Sequence, residues 1–340
     1  MKIVSRRGAF AFVLSLLSAP LLLQQSAEAA DLKPVKVALD WTPNTNHVGL
    51  YIAQAKGYFK DAGLDVTILP YGDTSAGTLV SNHVADFGVA GVGFYSQRAA
   101  GADLKAVYAI VQSETGRLVV DGDRSDIDSP KNLDGLTYGG FGSAWENTLL
   151  SSVIKNAGGK GEFKSVTLGT SAYEALANKS VDFTLEIKTW EGVKAELAGV
   201  KLKEFKYSDY GVPEQYTTLL VSSDEYLKAN DDTAKAFLAA VTKGYAFASE
   251  HPEEASGLLI QANPDVLTDA ALVTASLKLL AEGHYLQSAD GTIGKFDPAK
   301  FSAVGNYLVQ NGILVDQDSK KITVAPDFST YFTNNYLPAK

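Results

Sequence analysis

The chain has 340 residues, a net charge of −9 at pH 7 and no cysteine. This acidic balance makes nucleic acids and anionic membrane surfaces poor partners. The absence of cysteine excludes disulfides, zinc–thiolate sites and a cysteine nucleophile. A chain of this length exceeds one comfortable hydrophobic core, so we expect two lobes.

The first 29 residues have the pattern of a secretory signal peptide. A basic start between Lys2 and Arg7 precedes a short apolar run at 9–23, and residues 27–29 (Ala-Glu-Ala) form a small-x-small cleavage motif. Cleavage removes three cations and one glutamate, which leaves about 310 residues with a net charge of about −11. With no cysteine to carry a lipid anchor, we expect the mature protein in a Gram-negative periplasm, reached by the general or the twin-arginine route.

The segment after the signal alternates strand and helix patterns. The predicted strands are 35–41, 64–69, 85–90 and 104–111, and the predicted helices are 48–62, 76–83 and 94–100. This βα alternation is typical of a mostly parallel sheet with helices on both faces.

A second α/β series follows a strand at 117–120 and a charged loop at 121–131. Its predicted strands are 136–139, 166–168, 181–186 and 215–222, and its predicted helices are 144–156, 173–177 and 190–198. The remainder, 224–310, is predicted to be all-helical and to act as core and buttress.

The chain crosses twice between the two predicted lobes, near 113–119 and near 217–222. Lobe one combines 31–116 with 222–340, and lobe two is 117–221. Two α/β lobes, an export signal and the lack of a cofactor motif predict a type II periplasmic binding protein, with two doubly wound α/β lobes joined by a two-strand hinge. In such a protein the ligand binds in the cleft and the lobes close around it.

The turn at 40–49 lies where the first predicted strand ends and the first helix begins. Ligands bind at this edge in open α/β sheets. Trp41 offers a large π face, Asn44 an amide donor and acceptor, and His47 an imidazole. These groups suit a flat heteroaromatic ligand better than a bare anion or a metal. The alternative is that Trp41 is core, while Asn44 and His47 only shape and cap the turn.

Further candidates follow other predicted strands. Gly91 permits a close backbone approach to a ligand, or equally the tight packing of the next helix. Tyr71 ends the second strand and could supply an aromatic edge, and Tyr216 lies on the returning hinge strand. Trp190 could stack on the ligand from lobe two, with core packing as its alternative.

A glycine-rich turn at 139–143 opens the first helix of lobe two. The backbone N–H groups of Gly142 and Ser143 could bind an anionic or carbonyl oxygen. Glu146 complements the helix dipole or accepts a hydrogen bond from an amine of the ligand. Glu186 ends a strand at the cleft and is better placed to accept from an amine.

The remaining chemistry-bearing residues indicate no reaction. His83, His251 and His284 show no metal-ligand spacing with each other or with carboxylates. No Ser-His-Asp order or pair of catalytic carboxylates stands out. We therefore expect a binding protein and not an enzyme, with no metal and no cofactor.

The run VALDWTPNTNHVGLYIAQAKGYFKDAGLDVT at 37–67 resembles the exported binding proteins that capture pyrimidine precursors of thiamine for ABC transporters. That family shares its domain with the yeast enzyme that makes the thiamine pyrimidine. The segments GGFGSAWE (139–146), TWEG (189–192) and DYGVP (209–213) agree with the same family. The resemblance covers most of 35–260.

The resemblance implies a hydroxymethyl- or formylaminomethyl-pyrimidine as ligand, with uptake and salvage as the purpose. Trp41 would stack on the ring, while Asn44, Glu186 and His47 would contact its polar edge. It implies delivery by a monomer to an inner-membrane ABC permease.

Other ligands stay open because relatives bind other nitrogen heterocycles, including flavins, and distant ones bind sulfonates and nitrate. Riboflavin, a nucleobase or a sulfonate are the alternatives, and Arg117 is the candidate cation for a sulfonate. The segment 112–117 departs from the pattern of the pyrimidine binders. A pyrimidine synthase is a remote alternative, since the yeast-type enzyme uses a cysteine-rich iron motif and this chain has no cysteine.

Overall fold

The computed structural model describes Met1 and residues 32–339. Apart from Met1, the predicted signal peptide at 1–29 lies outside the described residues. Within 32–339, no helix combines the length and the apolar character that a bilayer span requires.

Ten strands occur within residues 32–339 and form two sheets. In chain order they are β1 (Lys33–Ala38), β2 (Leu64–Leu69), β3 (Phe87–Ala90), β4 (Lys105–Ala109), β5 (Gly116–Asp121), β6 (Thr137–Gly140), β7 (Lys164–Thr167), β8 (Phe183–Ile187), β9 (Leu202–Lys206) and β10 (Leu219–Ser222). The first sheet has the order β2–β1–β3–β10–β4, and the second has the order β7–β6–β8–β5–β9.

Each sheet holds one antiparallel strand at the same position. In the first sheet β1 pairs in parallel with β2 and β3, whereas β10 runs antiparallel between β3 and β4. In the second sheet β6 pairs in parallel with β7 and β8, whereas β5 runs antiparallel between β8 and β9. Strands β5 and β10 directly follow the two crossings. The antiparallel strand of each sheet is therefore the first strand that the chain forms after it leaves the other sheet.

Strand pairing differs from the predicted lobe limits at both crossings. Residues 219–221 pair within the first sheet, although 221 is the predicted end of lobe two. Gly116 already pairs with Ile187 in the second sheet, although 116 is the predicted limit of lobe one. Elsewhere the lobe limits stay a prediction.

Helices flank both sheets. Within the described residues they are α1 (Val48–Ala55), α2 (Tyr58–Asp61), α3 (Ala76–Ser81), α4 (Gly93–Ala99), α5 (Ala144–Asn156), α6 (Ser171–Ala177), α7 (Val193–Leu197), α8 (Asp224–Ala229), α9 (Asp231–Glu250), α10 (Pro252–Ala262), α11 (Ala270–Glu282) and α12 (Pro298–Gln310). A 3-10 turn, Thr45–His47, precedes α1, and a wider π-helical turn, Lys188–Gly192, precedes α7.

Two predicted helices are interrupted in the structure. The helix expected over 48–62 is two helices, because Gly57 adopts a left-handed conformation with φ of 77° between them. The tail expected to be helical over 224–310 has a non-helical stretch between α11 and α12. Gly291 and Gly294 have positive φ there, and α12 restarts with an Asp297 cap.

The C-terminal helices hold the turn at 40–47 in place. Helix α9 packs against α1 where two glycines meet, since a Cβ on Gly244 would lie 2.0 Å from the carbonyl oxygen of Gly49. The next residue, Tyr245, is fully buried and donates its hydroxyl hydrogen to the carbonyl oxygen of Asn46 at 2.7 Å. The buttress predicted from the tail therefore acts directly on the turn.

Candidate ligand-binding site

The turn after β1 is fixed by a reciprocal capping box. Oδ1 of Asn44 accepts the backbone N–H of Asn46 at 2.9 Å, and the backbone N–H of Asn44 donates to Nδ1 of His47 at 3.3 Å. Nε2 of His47 lies 2.8 Å from Oδ1 of Asp40. Because Nδ1 is an acceptor, the ring proton resides on Nε2 and is donated to the Asp40 carboxylate.

His47 therefore supports the site without lining it. Its side chain is 1% exposed, and both ring nitrogens have protein partners. Of its two predicted roles, capping the turn fits this geometry and direct contact with a ligand does not. Asn44 also lines the cavity, and one of its amide hydrogens already bonds to the carbonyl oxygen of Thr42 at 3.0 Å. The second amide hydrogen remains for a ligand.

Trp41 presents an open aromatic face to the cleft. Its side chain is 40% exposed, which does not fit the alternative of a core tryptophan. The ring of Tyr71 packs against it with centroids 5.0 Å apart. Tyr71 does not line the cavity, so the expected contact between Tyr71 and a ligand is replaced by support of the indole.

The glycine-rich turn of lobe two is closed by Glu146 itself. The Glu146 carboxylate accepts hydrogen bonds from the backbone N–H of Phe141 (2.8 Å) and from the hydroxyls of Ser143 (2.7 Å) and Tyr138 (2.8 Å). Burial alone would raise the pKa of Glu146, but these hydrogen bonds outweigh it and lower that pKa. Glu146 is thus a fixed anion in the wall of the cavity.

This arrangement bears on the predicted role of Gly142 and Ser143. The backbone N–H and the hydroxyl of Ser143 are used by the Glu146 carboxylate, and neither Gly142 nor Ser143 lines the cavity. Gly142 has φ of 90°, and a Cβ there would lie 2.9 Å from the Thr167 side chain. The glycine serves the tight turn and its packing, which is a backbone requirement and not a ligand contact.

Glu186 is the carboxylate that remains free. It lies on β8, is 2% exposed, and its Oε1 has no hydrogen-bond partner within the described residues. Burial, and to a lesser degree the neighbouring carboxylates of Glu204 and Glu191, raise the pKa of Glu186 to about 7. A buried acceptor without a partner at a cavity wall is suited to a ligand N–H.

The π-helical turn Lys188–Gly192 brings Trp190 and Glu191 to the same cavity. Its carbonyl at Thr189 accepts a hydrogen bond from the hydroxyl of Ser276 on α11, and that hydroxyl also lies 2.6 Å from Oγ1 of Thr45. All three hydroxyl-bearing side chains are buried. The turn of lobe two is therefore anchored to lobe one next to the capping box.

The two crossings contribute the base of the cavity. Glu114 is buried, and its carboxylate accepts hydrogen bonds from the Gln215 amide and from the backbone N–H of Gly116. Burial raises the pKa of Glu114. The hydroxyl of Tyr216 accepts the backbone N–H of Asp297 at 2.7 Å, and Tyr216 lines the cavity.

Gly91 meets the second crossing at the same point. A Cβ on Gly91 would lie 3.4 Å from the carbonyl oxygen of Thr217, which is ordinary contact. Thr217 also accepts the backbone N–H of Thr115 at 2.9 Å and donates to the carbonyl oxygen of Ser113 at 2.8 Å. The crossings are therefore tied to each other directly beneath the cavity.

These elements enclose a cavity of about 380 Å³ between the lobes, within the usual range for small-molecule sites. Its lining contains five carboxylates and no lysine or arginine among the described residues. The principal lining side chains are Asp40, Trp41, Asn44, Glu114, Phe141, Trp145, Glu146, Tyr173, Glu186, Trp190, Glu191, Gln215, Tyr216 and Thr218.

Seven of the predicted site residues lie together in this lining: Trp41, Asn44, Gly91, Glu146, Glu186, Trp190 and Tyr216. His47, Tyr71, Gly142 and Ser143 do not line it. The role of all eleven in binding stays a prediction.

Sequence reasoning missed several lining residues, foremost Glu114, Glu191 and Tyr173. Glu114 lies within the first predicted crossing, and a carboxylate in a hinge segment was an available signal. Glu191 directly follows Trp190 and Tyr173 begins a predicted helix, but neither position carries a local pattern that points to a cleft.

Two named proteins have sequences similar to this chain over most of its length. A formylaminopyrimidine-binding protein from Halalkalibacterium halodurans is 29% identical over 320 residues, which cover 87% of this chain and 92% of that protein. A 4-amino-5-hydroxymethyl-2-methylpyrimidine phosphate synthase from Saccharomyces cerevisiae is 26% identical over 321 residues, covering 88% and 86% respectively.

Solved structures confirm the predicted fold. The alkanesulfonate-binding protein SsuA from Xanthomonas axonopodis superposes with a TM-score of 0.64 at 16% identity, covering 85% of this chain and 96% of that one. The periplasmic aliphatic sulphonate-binding protein SsuA from Escherichia coli gives 0.62 at 16% identity, covering 87% and 93%. The chain thus has the two-lobed type II periplasmic binding protein fold.

The family predicted from the motifs is confirmed by a family model. The model described as NMT1/THI5 like matches residues 44–255, which include the turn after β1 from Asn44 onward, the glycine-rich turn and the π-helical turn. With more than half of its length matched, the chain belongs to the NMT1/THI5-like family.

Proposed function

We propose that this protein is the extracytoplasmic receptor of an ABC importer and captures a thiamine-related aminopyrimidine for uptake and salvage. The observation that carries the proposal is the acidic lining of the cavity: five carboxyl side chains and no lysine or arginine within the described residues. An aminopyrimidine offers N–H donors and a basic ring nitrogen. A carboxylate acceptor makes such hydrogen bonds about twice as strong as a neutral acceptor does.

The aromatic side chains suit a flat ring. Trp41 reaches the cavity from lobe one, and Phe141, Tyr173 and Trp190 reach it from lobe two. Stacking between aromatic faces contributes about 0.5–1.5 kcal/mol beyond the burial of area. Aromatic faces from both lobes would make closure around a planar ligand favourable.

Glu186 would read the polar edge of the ring. Its unpartnered Oε1 accepts an exocyclic amine, and Asn44 contributes its free amide hydrogen from the opposite lobe. The ligand would thereby satisfy a buried acceptor that otherwise costs about 1–3 kcal/mol.

In this structure Arg117, the cation expected to bind a sulfonate, does not face the ligand cavity. Arg117 is buried, and its guanidinium donates to the carbonyl oxygens of Glu114 (3.1 Å) and Gly116 (2.7 Å). A sulfonate would face five carboxylates without a counter-charge. Riboflavin and nucleobases carry no such penalty, and the test below separates them from pyrimidines.

The synthase relatives favour a second candidate function, the making of the pyrimidine. The state of His47 gives it less support than binding, because this imidazole is buried and both its nitrogens are engaged by Asp40 and Asn44. Incubation with pyridoxal phosphate and iron, followed by intact-mass measurement, would reveal a modified His47 if the chain acted as a synthase.

The test is a thermal-shift screen of the mature protein followed by calorimetry. The panel contains hydroxymethyl-, aminomethyl- and formylaminomethyl-pyrimidine, thiamine, riboflavin, nucleobases and small sulfonates. A ligand at 100 times its dissociation constant stabilises the folded state by about 2.7 kcal/mol, which moves the melting temperature by several degrees. We expect shifts with the pyrimidines. A shift with sulfonates alone would overturn the assignment.

Delivery to a permease is part of the proposal. A fold neighbour from Staphylococcus aureus is the ligand-binding component of an ABC-type import system, which supports a membrane partner. We expect a monomer by light scattering, and ligand-stimulated ATP hydrolysis when the loaded protein is added to its reconstituted transporter. A stable dimer or unchanged hydrolysis would contradict this part.

A further inference from the structure

A second, larger cavity opens directly beside the first. It has a volume of about 880 Å³ and lies between α6 and α7 on lobe two. We call it the side groove. Six residues line both cavities, so the two spaces share a common wall and mouth: Trp41, Thr170, Tyr173, Glu186, Trp190 and Glu191.

The side groove exists because its two helices pack on different partners. Helix α6 packs on β5, β6 and β8 of its own sheet. Helix α7 packs instead on α11 of lobe one, continuing from the π-helical turn that Ser276 anchors. A strip of the sheet between the two helices is therefore left open.

The surface of the side groove is largely apolar. Val119 and Leu176 form its floor, and Ala177, Ala198 and Val200 line its exposed walls. Val200 is 45% exposed. An apolar group placed here would gain free energy by removing these carbons from water, at about 25 cal/mol per Å².

The rim of the side groove is acidic. Asp121, Asp123 and Glu174 line it in addition to the two shared glutamates, whereas Lys194 and Lys201 are its cations. This excess of carboxylates continues the negative lining of the first cavity. A group seated here is therefore favoured when it carries a positive charge.

We propose that the side groove is part of the ligand site, and that the ligand is an aminopyrimidine joined to a second group that is apolar and positively charged. This inference rests on the proposed function, since the pyrimidine must occupy the first cavity. The junction of the two groups lies beside Trp41, Glu186 and Trp190, which line both spaces. A single substituted pyrimidine fills only the smaller space.

The experiment compares three probes by isothermal titration calorimetry on the full mature protein. The short probe is 4-amino-5-hydroxymethyl-2-methylpyrimidine. The long cationic probe is thiamine, which carries a thiazolium ring on the same pyrimidine, and the long neutral probe has thiophene in place of thiazolium. We expect thiamine to bind at least about tenfold more tightly than the short probe, with the neutral probe between them.

A matched pair of variants tests the location. Ala177→Phe fills the side groove from the exposed last residue of α6, and Ala262→Phe places the same ring on the exposed last residue of α10. The first should weaken thiamine about tenfold and leave the short probe unchanged, while the second should change neither. Ala177→Leu serves if the larger side chain perturbs folding.

The acidic rim is tested by replacing two exposed carboxylates, Asp123→Asn and Glu174→Gln, together. The preference for thiamine over the neutral probe should fall several-fold. If the short probe binds as tightly as thiamine, or if Ala177→Phe leaves thiamine unchanged, the inference is overturned and the proposed function stands. If neither these probes nor any other pyrimidine of the thermal-shift panel binds, the proposed function fails and the inference with it.

Discussion

Each lobe places a turn of the same design at the cleft, and the two turns use that design in opposite ways. After β1 the capping box joins Asn44 and His47, and after β6 it joins Ser143 and Glu146. In lobe one the third helical residue is an imidazole that orients Asp40, so a carboxylate is left at the cavity. In lobe two the third helical residue, Glu146, is itself the carboxylate, and it accepts hydrogen bonds from the donors around it.

The difference shows that local geometry does not decide which groups a ligand meets. The two capping boxes leave different atoms free, because the side chain at the third position either supports an acceptor or is the acceptor. The turn of lobe one leaves polar groups available to a ligand, whereas the turn of lobe two uses its polar groups to hold its own shape. In lobe two the acceptor without a partner is Glu186 on the neighbouring strand, and we propose that it contacts the ligand.

Of the substitutions that test this comparison, Glu146→Ala should have the largest effect. It removes the acceptor of Ser143, Phe141 and Tyr138, and leaves the buried Tyr138 hydroxyl and two part-buried donors without this partner. We expect the free energy of unfolding to fall by about 3–4 kcal/mol, measured by urea denaturation. Glu174→Ala, an exposed glutamate in the first turn of α6, is the control and should cost under about 0.5 kcal/mol. Equal losses of stability in Glu146→Ala and Glu174→Ala would refute the role of Glu146 in holding the cavity wall.

The next effect depends on pH and has opposite signs at the two buried glutamates. The folded-state pKa of Glu186 is about 7 against an ordinary value of 4.5, so the folded protein holds a proton that the unfolded chain releases. Stability therefore falls as pH rises from 4.5 through 7, and Glu186→Gln should stabilise the protein by about 2–3 kcal/mol at pH 8 but not at pH 4.

Glu146 behaves conversely, because its pKa is lowered in the folded state. Its stabilising contribution is present above the ordinary value of 4.5 and is lost as pH falls through the folded-state pKa. Glu146→Gln should thus destabilise at neutral pH, with a smaller difference at low pH. Denaturation of both variants from pH 4 to pH 8 checks the pair, and parallel profiles would contradict the contrast.

Trp41→Ala tests the contribution of the lobe-one turn to ligand binding. We expect the affinity for the pyrimidine to fall by about 1–3 kcal/mol in calorimetry, through lost stacking and burial. Stability should change little, because the side chain is 40% exposed. Tyr71→Ala should weaken binding less, since that ring only backs the indole. A larger loss with Tyr71→Ala than with Trp41→Ala would reverse the assignment.

His47→Gln is the mildest change and sharpens the comparison. Glutamine keeps an amide near Asp40 but cannot reproduce both ring contacts, so we expect a stability loss of about 1 kcal/mol and a few-fold weaker ligand binding. His251→Gln replaces an exposed histidine and should change neither. Loss of binding with unchanged stability would indicate that His47 contacts the ligand after all.

The sequence alone identified the fold class and the first turn, because strand ends and helix starts are encoded locally. The glycine-rich turn was predicted to bind a ligand oxygen, without use of the capping-box spacing of Ser143 and Glu146. That spacing already implied that the carboxylate folds back. Attention to the glycines concealed it.

Other parts depend on contacts that no local pattern carries. Glu114 meets Gln215 across 101 residues, and the anchoring of the π-helical turn depends on Ser276, 87 residues after Thr189. Such pairs are set by the packing of the lobes. The side groove is likewise invisible in the sequence, because it results from α7 packing on α11 and not on its own sheet.

The support of the first turn has a consequence for how the protein is made. The turn is among the first folded segments to be synthesised, yet Tyr245 bonds to it from 199 residues later and Ser276 from 231 residues later. A chain emerging N-terminus first therefore exposes Trp41 before its scaffold exists. Native-like ligand affinity should arise only near the end of synthesis, as expected for contacts of high sequence separation.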